Sequence, residues 1–115
     1  MDQRLQLLRE ISEIPGVSGF EGEVRKYIAA KMQGISQVST DNLGSVICKK
    51  AGSSESPKIM MAGHMDEIGM MVTLITKEGF LKFQTLGGWW TQVMLAQRVH
   101  VMTRKGPVLG IIGSK

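Results

Sequence analysis

The sequence has almost no cysteine and no long apolar run, and both absences limit what the protein can be. Cys48 is the only cysteine among 115 residues, so an intrachain disulfide framework is excluded. No stretch approaches the roughly 18 consecutive apolar residues that a membrane-spanning helix needs. The start, Met1-Asp2-Gln3-Arg4, leads into an amphipathic segment and differs from a secretory signal peptide. We therefore expect a cytoplasmic protein with no membrane partner.

Aromatic residues and clustered charge are also scarce. Aromatic residues make up 5% of the chain, and the formal net charge of +4 comes from 14 Lys and Arg against 10 Asp and Glu. The basic residues are scattered, with no block of about five or six, which is typical of a solvated surface. This pattern gives no sign of a nucleic-acid partner. The hydrophobic fraction of 43% suits a folded domain, and the length suits one domain better than two complete ones.

The first third of the sequence predicts two helices. Apolar residues recur at helical spacing over residues 5–14, and Pro15 ends that pattern. Ser18 and Glu21 have the three-residue spacing of a capping box, and the apolar stripe that follows predicts a second helix that ends near Gly34. Such stripes normally face a core, so these helices are assigned no active role.

Three short strands are predicted next. Residues 38–40 and 45–49 flank the turn-rich segment 41–44 and are typical of a hairpin. After a polar loop over 51–56, residues 58–64 are mostly apolar without alternation, which favours a strand covered on both faces. Helices beside such a strand predict an α/β layer.

The helical period disappears after Gly69. The remaining segments are β-rich, and tight-turn sequences separate them in two places. The predicted strands are 70–76, 80–86, 97–103 and 107–112, with turns at 77–79 and 104–106. Four strands in so short a stretch indicate a compact all-β unit, either a small barrel or a sandwich. We place a domain boundary near Gly69.

The segment Gly63-His64-Met65-Asp66-Glu67-Ile68-Gly69 contains the strongest candidate site. On an extended backbone, residues two apart point to the same side, so the His64 imidazole and the Asp66 carboxylate should lie close together. A metal-binding histidine uses this arrangement, because the carboxylate holds one ring N–H while the other nitrogen binds the ion. The same spacing also fits an ordinary hydrogen-bonded pair, which is the more frequent arrangement.

Other residues are weaker candidates. His100 alternates with valines on a predicted strand and is interpreted as a strand-surface or packed side chain. Trp89-Trp90 is typical of a turn anchored to a core or an interface. Gly87-Gly88 lacks the Lys-Ser/Thr pair and the helix start of a phosphate loop. The nine methionines, and Cys48, are expected to fill the core.

Several ordered segments together resemble one enzyme family. The likeness includes the His64–Asp66 segment, the Gly-Gly-Trp-Trp stretch and the final Gly-Ile-Ile-Gly-Ser-Lys, and it covers essentially the whole chain. The matching segments are 14–19, 40–45, 59–69, 83–90, 93–99 and 110–115. The sequence resembles the N-terminal part of the glutamyl and deblocking aminopeptidases, dinuclear metallopeptidases that assemble into tetrahedral particles of twelve subunits.

This resemblance implies a fold and an assembly. Residues 1–69 would be the N-terminal portion of an α/β catalytic domain, and residues 70–115 part of an inserted β-barrel domain, related to PDZ domains and used for dimerisation. The enzyme would carry two divalent metal ions, zinc or cobalt, which activate water for attack on the N-terminal peptide bond of a peptide substrate. Self-association would range from dimer to dodecamer.

The resemblance also implies roles for two side chains. His64 matches a ligand of one metal, Asp66 matches the catalytic carboxylate that orients it, and Glu67 receives no catalytic role. In family members the other ligands and the general base lie further along the chain. We therefore expect the 115-residue chain alone to bind metal weakly at most and to lack peptidase activity.

Two alternatives are kept beside this interpretation. The chain could be a non-catalytic β module for assembly or binding, in which His64 and Asp66 form a buried pair. Proteins of this kind are sometimes called glucanases. Because Asp66 and Glu67 are adjacent and face opposite ways on a strand, they give no support to a glycosidase carboxylate pair.

Overall fold

In the computed structural model, which describes residues 2–114, two helices are followed along the chain by strands. The helices are α1 (Gln3–Ser12) and α2 (Gly22–Met32). The strands are β1 (Gln37–Thr40), β2 (Val46–Lys49), β3 (Gly69–Ile75), β4 (Leu81–Leu86), β5 (Arg98–Thr103) and β6 (Gly106–Ile111). One turn of 3₁₀-helix covers Thr91–Val93, between β4 and β5.

The two predicted helices are confirmed, but the second begins differently from the prediction. Helix α1 starts with Asp2 as its N-cap, whose carboxylate accepts the Arg4 N–H at 2.9 Å. Helix α2 starts at Gly22, after Glu21, and no side chain caps it. The predicted capping box is therefore wrong: Glu21 accepts the Gly19 N–H at 2.8 Å, and Ser18 makes its hydrogen bond elsewhere.

Strands β1 and β2 form the predicted hairpin, against which α2 packs. Its turn is fixed by Asp41, whose Oδ1 accepts the N–H of Leu43 at 3.0 Å and that of Ser45 at 2.8 Å. Gly44 has a φ of 91°, a conformation that glycine adopts without steric cost. These contacts are all local, which explains why the sequence predicts them.

The later strands pair as two further antiparallel hairpins. Strand β3 pairs with β4, and β5 pairs with β6. Gly79 and Gly106 provide the positive φ that each turn requires, at 87° and 110°. Within residues 2–114, each of the three sheets has two strands, and no ladder joins one hairpin to another. The four predicted strands are confirmed with small changes at their ends.

The predicted strand over residues 58–64 is wrong. This segment has no regular secondary structure in the described chain. Ile59, Met60 and Met61 are 84%, 90% and 93% exposed, so the expected cover on both faces is missing. A strand of this kind needs hydrogen-bonded neighbours and apolar partners, and no segment of residues 2–114 supplies them. The α/β layer expected around it does not form there.

The buried core of the described residues is small. Val24, Met94 and Ile112 are its buried apolar side chains. The Cα radius of gyration is 18.4 Å, whereas a compact domain of about 100 residues has a radius near 13 Å. The prediction that the methionines fill the core holds for Met94 and fails for Met60 and Met61. The chain therefore presents much apolar surface that it does not itself cover.

Candidate functional site

The His64 and Asp66 side chains are in direct contact. The imidazole Nδ1 lies 2.9 Å from Asp66 Oδ1 and 3.0 Å from the Asp66 carbonyl oxygen. The expected proximity is confirmed, although the strand alternation used to predict it is not present. The same ring nitrogen meets both the side chain and the backbone of Asp66, so the local course of residues 64–66 creates the contact.

These partners determine which imidazole nitrogen is free. Carboxylate and carbonyl oxygens are acceptors only, so Nδ1 must carry a proton to bond with them. In the neutral ring, Nε2 then holds the lone pair. The His64 side chain is 86% exposed, and we infer that this lone pair is open to a ligand. This is the tautomer that a histidine needs in order to bind a metal through Nε2.

Asp66 is held in its ionised form. Its Oδ2 accepts a hydrogen bond from the Ser18 hydroxyl, while Oδ1 bonds His64. The hydrogen bonds from Ser18 and then from His64 keep the pKa of Asp66 below its ordinary value. Both carboxylate oxygens are thus occupied by protein groups, which suits a residue that orients an imidazole better than a second ligand for the same ion.

Glu67 connects the site to the loop that follows helix α1. Its Oε1 accepts the Gly16 N–H at 3.0 Å, and its own N–H donates to the Gly16 carbonyl at 2.8 Å. Val17 and Glu67 form an isolated parallel bridge. A Cβ placed on Gly69 would lie 1.8 Å from Val17 Cγ1, so the glycine permits this close approach. The sequence pattern predicts neither the contact of Ser18 with Asp66 nor that of Glu67 with Gly16.

No local signal could have revealed the Ser18 contact. Ser18 and Asp66 are 48 residues apart in sequence, and the spacing around Ser18 favours a helix cap.

The other histidine, His100, is exposed on β5 between the half-buried Val99 and Val101, as its alternation predicts. The Trp89 indole N–H donates to the carbonyls of Gly69 and Leu86 at 3.0 and 3.1 Å, which confirms its anchoring role.

The residues present fit part of a metal site. His64 offers one suitable nitrogen, whereas catalytic zinc sites usually have three protein ligands. Across residues 2–114, no group of three or more His, Cys, Asp and Glu side chains is placed to hold an ion. Nor does any helix in this range have the length and apolarity to cross a membrane.

A protein-family model matches most of the chain. The model, described as M42 glutamyl aminopeptidase, matches residues 44–115, and a second, described as AMPT, matches residues 2–26. A lysyl aminopeptidase of Pyrococcus furiosus is 38% identical over 110 residues, which cover 94% of this chain and 31% of the relative. A glutamyl aminopeptidase of Lactococcus lactis is 39% identical over 107 residues, which cover 91% of this chain and 30% of the relative.

Solved structures agree with these sequence matches. A TET aminopeptidase from a marine sediment Thaumarchaeota archaeon is 49% identical, with a TM-score of 0.91, and the match covers 99% of this chain and 32% of that one. A TET peptidase of Pyrococcus horikoshii is 33% identical with a TM-score of 0.85, and the match covers 96% of this chain and 33% of that one. That peptidase can assemble into a tetrahedron or a large octahedral shell. The chain therefore spans about a third of the length of its relatives.

The expected glucanase name also reappears. A solved structure described as an endoglucanase from Thermotoga maritima is 38% identical with a TM-score of 0.85, and covers 94% of this chain and 34% of that one. In the present chain, Asp66 bonds His64 and Ser18 while Glu67 bonds Gly16. The two adjacent carboxylates are therefore committed to different partners.

Proposed function

Since this chain belongs to the M42 glutamyl aminopeptidase family, we propose that it is the N-terminal portion of a metal-dependent aminopeptidase. The complete enzyme would be a hydrolase that removes N-terminal residues from peptides. The single observation that carries the proposal for the site is the Nδ1 contact of His64 with Asp66, which leaves Nε2 for an ion. The two relatives are named for lysyl and glutamyl residues.

His64 and Asp66 have distinct roles in this proposal. His64 would hold a divalent ion through Nε2, and Asp66 would keep the ring in the required tautomer and orientation. The complete site would contain two such ions, zinc or cobalt. When bound, they would supply a nucleophile at neutral pH and polarise the peptide carbonyl. The remaining ligands and the general base would belong to the other two-thirds of a full-length family member.

The domain organisation and the assembly are part of the same proposal. Residues 1–69 would belong to an α/β catalytic domain and residues 70–115 to an inserted PDZ-like barrel used for dimerisation. The separate hairpins β3–β4 and β5–β6 support a β-rich second part. The tetrahedral and octahedral assemblies of the Pyrococcus horikoshii relative support self-association, from dimer to dodecamer. A cytoplasmic location stays a prediction.

Zinc titration followed by NMR tests the metal role of His64. We expect the ring signals of His64 to respond to zinc at a concentration about tenfold lower than those of His100, because Asp66 holds the His64 ring in the Nδ1–H form that leaves Nε2 for the ion. His64→Ala should remove the tighter response, while His100→Ala should leave it. Equal responses from the two exposed histidines would contradict the proposal and favour a β module for assembly or binding.

The same preparations can be assayed for peptidase activity. We expect the isolated chain to release no N-terminal residues from peptides in the presence of zinc or cobalt, since one imidazole cannot hold a catalytic ion firmly. Metal-dependent release by the purified 115-residue protein would contradict the assignment of the missing ligands to the rest of the enzyme. Downstream of the Lys115 codon, an open reading frame encoding Asp, Glu and His ligands would support it.

A further inference from the structure

The Asp66 carboxylate is oriented from two directions. Oδ1 contacts the His64 ring, and Oδ2 accepts the Ser18 hydroxyl hydrogen bond. A carboxylate bonded through one oxygen can still rotate about its Cβ–Cγ bond. With a donor on each oxygen, the plane of the group is fixed, and so is the direction in which it presents Oδ1 to His64. The Ser18 hydroxyl therefore acts on the imidazole through Asp66.

Ser18 needs a support of its own, because it lies in a loop between the two helices. Glu67 supplies it: side chain and backbone both bond Gly16, two residues before Ser18. The parallel bridge from Val17 to Glu67 continues this contact. Gly16 is buried, and a Cβ placed on it would lie 2.6 Å from Val24 Cγ2, so the loop also packs closely against helix α2.

The two acidic neighbours thus have complementary tasks. Asp66 accepts the hydrogen bond of the Ser18 hydroxyl. Glu67, the next residue, holds the loop that carries Ser18. Any shift of the 64–67 segment would move both carboxylates together, so the position of Ser18 relative to Asp66 would be preserved. This arrangement explains why residue 67 has a side-chain hydrogen-bond acceptor and stands directly beside Asp66.

We propose that Ser18 is a positioning residue for the candidate metal centre, that it fixes the Asp66 carboxylate and thereby the Nδ1–H form of His64, and that Glu67 holds the loop that carries it. The proposal rests on the proposed function only for the meaning of the free Nε2. The hydrogen-bonded chain from loop to imidazole belongs to the polypeptide itself. It can therefore be tested without metal and without peptidase activity.

The test is a measurement of the His64 tautomer by long-range ¹H–¹⁵N NMR at about pH 8.5, where imidazoles are ordinarily neutral. We expect the unsubstituted chain to show predominantly the Nδ1–H form. Ser18→Ala should move the ratio of Nδ1–H to Nε2–H toward the Nε2–H form by roughly threefold, the effect of one ordinary hydrogen bond. Ser18→Thr, which keeps the hydroxyl, should restore most of the original ratio.

Two Glu67 variants distinguish loss of the Gly16 hydrogen bond from a general disruption of the fold. Glu67→Ala should change the ratio in the same direction as Ser18→Ala, whereas Glu67→Gln retains an acceptor for the Gly16 N–H and should resemble the unsubstituted chain. Ser54→Ala is the matched control, since the Ser54 hydroxyl bonds the Ser56 carbonyl in a separate exposed loop. It should change nothing at His64.

Two results would overturn the proposal. One is an unchanged tautomer ratio in Ser18→Ala, and the other is an equal change in Glu67→Gln and Glu67→Ala. The zinc titration of His64 is independent of both measurements. A Ser18-dependent tautomer in a chain whose His64 shows no preference for zinc would establish the positioning contact and refute the metal role.

Discussion

At the scale of single residues, Glu10 has the most strongly perturbed acid group. Its carboxylate accepts hydrogen bonds from the Tyr27 hydroxyl at 2.6 Å, from Gln6 at 2.8 Å and from Lys31 at 3.0 Å. The Tyr27 bond, followed by those of Gln6 and Lys31, lowers the pKa of Glu10 from 4.5 to about 2. Because Glu10 lies on α1 and two of its partners lie on α2, this cluster links the two helices.

This pKa predicts how helix stability depends on pH. The folded-state pKa is depressed, so the contribution of Glu10 is fully present above about pH 4.5 and is lost as pH falls toward 2. We expect the thermal midpoint of the helical signal, followed by circular dichroism, to exceed that of Glu10→Gln above pH 4.5. The difference should shrink as the pH approaches 2.

The comparison with Glu10→Gln isolates this one group. Other carboxylates with lowered pKa values, such as Asp41 and Asp66, titrate in both proteins and cancel in the difference. A difference between the two midpoints that stays constant from pH 6 to pH 2 would show that the ionisation of Glu10 does not stabilise the helix pair.

The sequence predicts residue roles well where the cause is local. The Asp41 turn depends on amides two and four residues away, and the His64–Asp66 contact on a two-residue spacing. Ser18 could not be assigned in this way, because its local pattern favours a helix cap while its actual partner lies on a distant segment. No catalytic role is predicted for Glu67, and its contact with Gly16 is also remote in sequence, so residue spacing does not predict it.

At the scale of elements, the hairpins and the apolar segment 58–64 behave differently. Each hairpin contains its own partner strand and its own turn residues, so its sequence suffices to predict it. The apolar sequence of the 58–64 segment indicates only that a strand there would be buried on both faces. The neighbouring strands and packing surfaces must come from other segments, and the apolar run does not show whether those segments are present.

The docking of the loop after α1 onto the 66–69 segment gives a prediction at this scale. Gly69→Ala should force Val17 away, since a Cβ would lie 1.8 Å from Val17 Cγ1. We expect amide hydrogen exchange of Gly16 and Glu67 to accelerate by about tenfold, the effect of a moderate overpacking penalty.

Two further variants complete this experiment. Gly63→Ala is the control, because a Cβ there would meet nothing within 4 Å. Val17→Ala combined with Gly69→Ala should recover part of the protection, since the double variant removes the Cγ atoms responsible for the clash. Equal exchange rates in Gly69→Ala and Gly63→Ala would show that close packing at Gly69 does not hold the loop.

At the scale of the whole molecule, exposed apolar surface is the dominant feature. The described chain extends over 62 × 37 × 30 Å and has a small core. Large apolar side chains are exposed on α1, on the 59–61 segment and on both later hairpins. The chain spans about a third of its relatives' length, and the proposed function predicts that the remainder of the complete enzyme covers such faces.

We therefore expect the isolated chain to associate. Size-exclusion chromatography with light scattering should show a mass that rises with protein concentration, because uncovered apolar faces and open strand edges pair with copies of themselves. Replacing both Ile59 and Met61 by Lys should reduce this rise. Leu43→Lys is the control, since Leu43 is 94% exposed in a separate turn. A strictly monomeric chain at all concentrations would contradict the expectation.

The bonds between Gly16 and Glu67 join positions 51 residues apart and enclose helix α2 and the first hairpin. Closing so long a loop costs chain entropy before any contact compensates for it, whereas helices and hairpins form from nearby residues. The enclosed elements can therefore form first, and the Ser18 hydroxyl reaches Asp66 only once this loop has closed. The Ser18-dependent part of the His64 tautomer ratio would consequently report closure between positions 16 and 67.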